Sequence, residues 1–261
     1  MSLHNLSRAA RLRSGLTAIV FAAIAVPALA GEFTKPQKAE IEAIIKDYLI
    51  NNPDVLRDAQ AEMERRQKLD EVAAREQSIR DQTAQIFDSK FQAVFGNPKG
   101  KVTLVEFFDY NCGYCKRAMD DMTKLIKADP DLRVVLKDFP VLGPGSVEAA
   151  QVAGAARNQL PGEKFFEFHS KLLGTKGPVG KAQALAVARD LGLDMTQLEK
   201  DIASPDVKAG IEEVMRVADS LNLTGTPSYV LGTDVIVGAV GYGEIKLKLD
   251  SIKKCGKVVC S

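Results

Sequence analysis

The chain has 261 residues, of which 46% are hydrophobic and 26% are charged, and its formal net charge at pH 7 is +1. That composition is typical of a globular protein, and the length allows one well-packed core plus an appendage. Because the chain has no excess of basic residues, its composition argues against a nucleic acid as the partner.

The first 30 residues have the pattern of a secretory signal peptide. A positively charged start is followed by a short apolar run over residues 15–26 and then by small residues, Ala28 and Ala30, at the positions that precede a cleavage site. The positive charges come from Arg8, Arg11 and Arg13. A membrane anchor is the alternative, but the apolar run is shorter than the roughly 20 residues that a span needs. We therefore expect cleavage after Ala30 and a protein that works outside the cytoplasm, where disulfides persist.

Residues 31–95 differ in composition from the rest of the chain and predict an N-terminal helical stalk. Between residues 36 and 90 the sequence is polar and charged, without glycine or cysteine. Asn52 followed by Pro53 is typical of a helix start, so we expect one helix before this pair and a second that runs to about Ser89.

The stalk carries an apolar stripe that is too thin to bury the helices on its own. Two interpretations follow: a solvated spacer, or an oligomerisation segment in which several copies share their apolar faces. The densest part of the stripe comprises Ile41, Ile44, Ile45, Tyr48 and Leu49. It continues more sparsely through Leu56, Met63, Val72, Ile79 and Ile86.

A turn-rich stretch over residues 96–100 marks the expected start of a second domain, residues 96–261. A nearly continuous apolar run follows it and predicts a central strand. The expected order is then helix, strand, helical block, a hairpin and a final helix. The helix should begin at Cys112, the helical block should occupy about residues 144–222, and the hairpin should turn near Gly232.

Cys112 and Cys115 are separated by two residues and lie where a buried strand gives way to a helix. A thiolate at a helix N terminus is stabilised by free backbone N–H groups, which suits a nucleophile, and a cysteine one turn later suits a resolving thiol. A structural disulfide this short would close almost no loop, and a zinc site usually takes four ligands. The spacing therefore indicates a redox pair.

Cys255 and Cys260 are the other cysteines, with four residues between them at the end of the last helix. We expect them to form a structural disulfide that holds the C terminus. The alternative is a relay pair that exchanges with Cys112 and Cys115, and the number of cysteines alone permits three connectivities.

Three separated motifs, EFFDYNCGYC, KDFPVLG and TGTPSYVLG, resemble the DsbA family of periplasmic thiol:disulfide oxidoreductases. The resemblance covers about residues 100–255 and implies an α/β thioredoxin fold with an inserted helical domain. The segment IEAIIKDYLINNPDVL resembles the N-terminal oligomerisation segment of the ScsC-like branch, whose members can be oligomeric disulfide isomerases. It implies a homo-oligomer, a trimer in preference to a dimer, which acts on cysteine-containing envelope proteins with a membrane redox partner.

The resemblance also implies roles for individual residues. Cys112 would be the nucleophile and Cys115 the resolving thiol, facing a Thr226–Pro227 peptide in the cis form. A cis proline lacks an N–H and turns the preceding residue toward a bound peptide. Glu106 would move protons for the resolving cysteine. Its expected partner is Lys137, since a buried carboxylate needs a partner or protonates.

One departure from the family concerns the residues between the cysteines. Strongly oxidising members carry Pro-His there, whereas this chain has Gly113-Tyr114, and a neutral phenol stabilises a thiolate less than an imidazole does. The chain's two histidines are His4 and His169, so no histidine cluster indicates a metal enzyme, and no cofactor is expected. A protein that binds Cu(I) or Zn(II) through Cys112 and Cys115 is the main alternative function. A structural envelope protein is a third interpretation.

Overall fold

The computed structural model describes residues 32–260, and this part of the chain divides into two units between Gln60 and Ala61. The expected signal peptide, its cleavage site after Ala30, and His4 lie outside the described residues. No helix in the described part is long and apolar enough to cross a membrane.

The first unit is helical. Helix α1 (Lys35–Asn51) begins after Thr34, whose backbone N–H donates a hydrogen bond to Gln37 Oε1 at 2.9 Å. It ends before Asn52, and helix α2 (Pro53–Asp81) begins at the expected proline. No residue of α1 is buried. The apolar side chains that form the densest part of the stripe are therefore open to solvent, Ile44 at 61% of its area.

The second unit contains the end of α2, a short helix α3 (Thr83–Phe87), five strands and seven further helices among the described residues. The strands are β1 (Ala93–Gly96), β2 (Val102–Phe108), β3 (Leu132–Asp138), β4 (Ser228–Leu231) and β5 (Asp234–Val237). The helices are α4 (Gly113–Ala128), α5 (Pro144–Ala156), α6 (Glu163–Leu173), α7 (Lys181–Asp190), α8 (Met195–Ile202), α9 (Pro205–Ser220) and α10 (Tyr242–Cys255).

The strands form one sheet in the order β1-β3-β2-β4-β5. Strands β2 and β3 pair in parallel, and the other neighbours are antiparallel. Strand β2 is the middle strand and is almost wholly apolar, as expected for a strand that is buried on both faces. One face packs with α4 and α10, and the other packs with α3, α9 and the end of α2. The layers confirm the thioredoxin fold.

Helices α5–α9 lie between β3 and β4 and form the helical insertion. Helix α5 is composed mainly of alanine, glycine and valine, so α7, α8 and α9 pack against it with short side chains at the contact. A buried ion pair joins this insertion to the sheet, since Arg157, at the end of α5, has its Nη1 3.8 Å from Asp138 Oδ2 of β3.

The sheet begins earlier in the chain than we expected. Strand β1 lies in the segment that the sequence analysis assigned to the stalk, and it pairs with β3. Ile79 and Ile86, which were expected to belong to the stalk's stripe, are buried in the core with Val105 and Phe107 of β2. The second stalk helix also ends at Asp81, before the expected Ser89. The expected boundary at residue 96 is therefore too late.

Candidate active site

Cys112 lies at the junction between β2 and α4. The chain leaves β2 after Phe108, and Cys112 N–H donates to the Asp109 carbonyl at 3.0 Å, which closes a turn and places Cys112 as the N-cap of α4. The Cys112 Sγ accepts a hydrogen bond from the backbone N–H of Cys115 at 3.4 Å. The sulfur therefore lies at the start of α4, beside the free backbone N–H groups of its first turn.

Thr226 and Pro227, more than a hundred residues further along the chain, lie against Cys112. The Thr226–Pro227 peptide bond is cis, and the Thr226 carbonyl oxygen is 3.1 Å from Cys112 Sγ. The carbonyl oxygen of Pro227 accepts from Gly238 N–H at 2.8 Å, which ties this loop to the end of β5. The structure thus brings these three residues of the expected site together.

Cys115 lies one turn into α4 and is 1% exposed, whereas Cys112 is 5% exposed. Burial raises the pKa of the Cys115 thiol, and the negative charge of Glu106 raises it further. Cys115 therefore keeps its proton when it is at rest. Both cysteines are free thiols in this structure.

Glu106 lies in the middle of β2 on the face that α4 covers. It is 5% exposed, and burial raises its pKa to about 8. The carboxyl group has no hydrogen-bond partner among the described residues, and it is close enough to Cys115 to affect the pKa of that thiol. A carboxyl group with this pKa can take up or release a proton near neutral pH.

Lys137 does not lie beside Glu106, and the expected pairing is corrected here. In the parallel register Glu106 is opposite Leu136, while Lys137 is opposite Phe107. Since side chains alternate between the two faces of a sheet, Lys137 points to the other face. Its Nζ donates to the backbone carbonyl of Gln85 in α3, and burial lowers its pKa to about 8.

Asp109 is a buried residue of the site that the sequence analysis missed. Its carboxylate accepts four hydrogen bonds of 2.7–2.9 Å. The donors are the backbone N–H groups of Asn111, Val141 and Leu142 and the hydroxyl of Ser146. This fastens the turn before Cys112 to the loop before α5. An Asp directly after a buried strand is typical of a side chain that caps a turn, and that signal was present in the sequence.

Asn111 makes a second connection beside the nucleophile. Its side-chain amide donates to the Val179 carbonyl oxygen at 2.8 Å and accepts from the Val179 N–H at 2.7 Å. These two bonds join the turn before Cys112 to the loop before α7. The active-site turn is therefore held by two loops of the helical insertion.

Tyr114 occupies the position between the cysteines where strongly oxidising relatives have histidine. Its ring is 60% exposed, and the Arg117 guanidinium carbon lies 4.3 Å from the ring centroid. A cation over the ring face is a favourable contact of about 0.5–1 kcal/mol at an exposed position. The contact holds the Arg117 guanidinium over the ring of the residue that directly precedes Cys115 in the chain.

The remaining residues that the sequence analysis singled out lie away from Cys112. Cys255 and Cys260 form a disulfide in the structure, as expected. His169 is buried with its Nδ1 3.3 Å from the Tyr110 hydroxyl, and burial lowers its pKa to about 3. In residues 32–260, no three His, Cys, Asp or Glu side chains form a group that could hold a metal ion.

Free cysteines at a strand-to-helix junction, facing a cis-proline loop on a thioredoxin fold, define a thiol:disulfide oxidoreductase. The family model described as the DSBA-like thioredoxin domain matches residues 103–250, which is more than half of the chain. The chain belongs to this family. A second model, described as the N-terminal domain of the copper resistance protein ScsC, matches residues 37–68.

Solved structures agree with this assignment. A thioredoxin-like oxidoreductase from Silicibacter pomeroyi is 41% identical, covers 66% of this chain and 98% of its own, and has a TM-score of 0.62. ScsC from Proteus mirabilis in a transitional conformation is 26% identical, covers 82% of this chain and 95% of its own, and has a TM-score of 0.59.

Among curated proteins, similarity extends to a Na⁺/H⁺ antiporter of Salinispora arenicola, which is 30% identical over 138 residues. The match covers 52% of this chain and 21% of the antiporter. The chain thus spans about a fifth of the length of that relative.

Proposed function

We propose that this protein forms or isomerises disulfides in cysteine-containing envelope proteins, with Cys112 as the nucleophile and Cys115 as the resolving thiol. The observation that carries the proposal is the difference between the two sulfurs. Cys112 Sγ lies at a helix N terminus against the Thr226 carbonyl, whereas Cys115 lies deeper in α4 with a raised pKa.

The reaction consists of two exchange steps. The Cys112 thiolate attacks a client disulfide, forms a mixed disulfide and releases one client thiolate. Because the pKa of Glu106 is about 8, a fraction of this residue is ionised near neutral pH. In that fraction the Cys115 thiol transfers its proton to the Glu106 carboxylate, attacks Cys112, and releases the second client sulfur as a thiolate. In the oxidising direction the same steps run in reverse.

The Thr226–Pro227 loop is proposed to bind the client's backbone next to the mixed disulfide. Pro227 has no N–H and so presents no donor toward Cys112. The backbone of Thr226 lies against the nucleophile, where a client segment has to come when its sulfur reaches Cys112.

The proposed setting is the periplasm, after cleavage of the signal peptide following Ala30. Support comes from the signal-like pattern of residues 1–30 and from the similarity to ScsC. A membrane redox partner would return the Cys112–Cys115 pair to the form that each reaction needs.

The protein is further proposed to assemble into a homo-oligomer, a trimer, through residues 36–90. Helix α1 exposes a dense apolar face, and residues 37–68 match the ScsC N-terminal domain. An apolar face of this kind is stabilised when copies cover one another. The densest part, Ile41, Ile44, Ile45 and Tyr48, is proposed as the contact.

The test of the chemistry uses the two cysteines separately. With limiting alkylating agent near neutral pH, the reduced protein should be modified first at Cys112. Cys112→Ser should abolish insulin reduction, and Cys115→Ser should accumulate mixed disulfides with clients because the resolving step is lost. Equal alkylation of the two thiols would contradict the assignment.

Copper binding is the second candidate, favoured by the ScsC N-terminal match together with two free thiols on one turn. Thiolates are preferred ligands of Cu(I). Loading the reduced protein with Cu(I) beside a Cys112→Ser control measures this function directly. Equal copper binding by wild type and by Cys112→Ser would rule out a copper site at this cysteine pair.

A further inference from the structure

Tyr229 of β4 lies next to the proton-carrying part of the site, and the reaction described so far does not use it. In the antiparallel register Tyr229 is directly opposite Glu106 of β2. Residues opposite each other in neighbouring strands share one face of the sheet, so Tyr229 lies on the face that α4 covers. It is 2% exposed and belongs to the same core cluster as Cys115.

Neither the hydroxyl of Tyr229 nor the carboxyl group of Glu106 has a hydrogen-bond partner among the described residues. Neither group is among the fully buried unpaired side-chain atoms, so a small part of each remains accessible to solvent. The Tyr229 hydroxyl is therefore not committed to another protein group and is available as a donor during the reaction.

The charges around Tyr229 keep its hydroxyl protonated. Burial raises its pKa far above the ordinary value, and the negative charges of Glu106 and Cys115 raise it further. The other ionisable groups that face it are Asp121 of α4 and Cys112, while α10 contributes apolar side chains, Ile245 and Leu249, to this cluster. A hydroxyl that does not ionise remains a hydrogen-bond donor throughout the reaction.

We propose that Tyr229 is a catalytic residue whose hydroxyl donates a hydrogen bond to the Cys115 sulfur when that sulfur carries negative charge. The inference rests on the proposed function. In the resolving step the Cys115 proton passes to the Glu106 carboxylate, and the Tyr229 O–H stabilises the thiolate left behind. The Cys115–Cys112 bond then forms, the bond from Cys112 to the client breaks, and the client sulfur leaves as a thiolate that takes a proton from water.

The experiment follows the full chain as it reacts with a symmetrical peptide disulfide whose fluorescence rises as each peptide is released. The first release reports attack by Cys112, and the second reports attack by Cys115. Tyr229→Phe should slow the second release about tenfold at pH 7 and raise its pH midpoint by about one unit, which is the size of effect expected for a hydrogen bond to a charged group. The first release should stay within about twofold of wild type.

Tyr242→Phe is the control, because it removes a tyrosine hydroxyl from the start of α10, outside the active-site turn. Both releases should keep wild-type rates and pH midpoints in this variant. A second release by Tyr229→Phe that is unchanged, or that is slower with an unchanged pH midpoint, would overturn the proposal. Loss of the first release in wild type would instead count against Cys112 as the nucleophile.

A measurement on the unsubstituted protein covers the case in which Tyr229→Phe does not fold. The carbon-13 signal of the Tyr229 Cζ should titrate with the same midpoint as the Cys115 Cβ signal, because the hydrogen bond strengthens as the thiolate forms. A Tyr229 signal that stays constant through the Cys115 titration would overturn the proposal.

Discussion

Glu106, which is proposed to move a proton in the reaction, also has a cost in stability. A carboxyl group with no hydrogen-bond partner among the described residues, inside the layer between β2 and α4, holds its proton up to a pH of about 8. The unfolded chain would release that proton near the model value of 4.5. The folded protein therefore binds more protons than the unfolded chain between these two pH values, and its free energy of unfolding falls as the pH rises.

Glu106→Gln should remove this pH dependence. Between pH 6.5 and 8 the slope of unfolding free energy against pH should be more negative in wild type than in the glutamine variant, by up to roughly 1.4 kcal/mol per pH unit. Lys137, whose pKa is lowered to about 8, adds a slope of the opposite sign in this window, and Asp138 and His169 titrate near its lower end. These three groups contribute to both proteins, so the difference between the two slopes reports Glu106. Urea unfolding of the reduced protein at pH 6.5 and pH 8 measures the difference.

Glu163→Gln is the control for this prediction, since Glu163 is exposed at the start of α6. It should keep the wild-type dependence. Equal slopes in wild type and Glu106→Gln would mean that Glu106 is not the group that holds the proton.

Asp109 is expected to contribute to stability through geometry. Asp109→Asn replaces one carboxylate oxygen with an NH₂ group that faces donors, so at least one of the four hydrogen bonds is lost. The unfolding free energy should fall by about 2–4 kcal/mol, because hydrogen bonds to a charged acceptor are involved and a buried donor is left unpaired. Thermal or urea unfolding checks this, with exposed Asp131→Asn as a control that should change little.

At the scale of elements, the segment from residue 36 to 90 proves to have two parts with different environments. Helix α1 has no buried residue. In contrast, α3 and the end of α2 contribute Ile86 and Ile79 to the core under β2. The apolar stripe in the sequence looks continuous across both parts, because a pattern of hydrophobic positions does not state which surface covers them.

Two matched substitutions separate these parts. Ile86→Ala removes a fully buried side chain and should lower the unfolding free energy of the second unit by about 2–5 kcal/mol. Ile44→Ala, on exposed α1, should leave that unfolding transition within about 0.5 kcal/mol of wild type. Chemical unfolding of each variant measures both values, and a large loss for Ile44→Ala at low protein concentration would contradict the division.

Much of the fold and part of the site could be predicted from the sequence. The helix break at Asn52, the cysteine N-cap of α4, the hairpin at Gly232 and the last helix all have strong local signals. Strand β1 was missed because it has only four residues and is defined by its partner β3. Lys137 was misplaced because both faces of β2 and β3 are buried, so the hydrophobic pattern does not show which face each side chain occupies. That depends on the register between the two strands, which the sequence does not show.

At the scale of the whole molecule, assembly would decide which reaction the cysteines perform. Joining several catalytic domains keeps a second active site near one misfolded client, at an effective concentration that can reach the millimolar range. Such an arrangement favours repeated breaking and re-forming of client disulfides over a single oxidation.

A truncated protein without residues 31–60 lacks the first unit. If assembly decides the reaction, this truncation should convert the protein from an isomerase to a simple oxidase. The truncated protein keeps Ile79 and Ile86 and the sheet, so we expect a folded monomer that still oxidises dithiols. It should lose most of its activity on scrambled ribonuclease. Light scattering gives the mass of both forms. If the full mature chain is already a monomer, the oligomer proposal is wrong.

The order of the cysteines along the chain has a consequence for the protein's own biogenesis. Each cysteine has its intended partner three or five positions away, whereas the wrong partners are some 140 residues distant. Since closing a long loop costs more chain entropy than closing a short one, the newly made chain is biased toward the correct pairs before it folds. The order of the cysteines in the sequence thus limits mispairing while the chain matures.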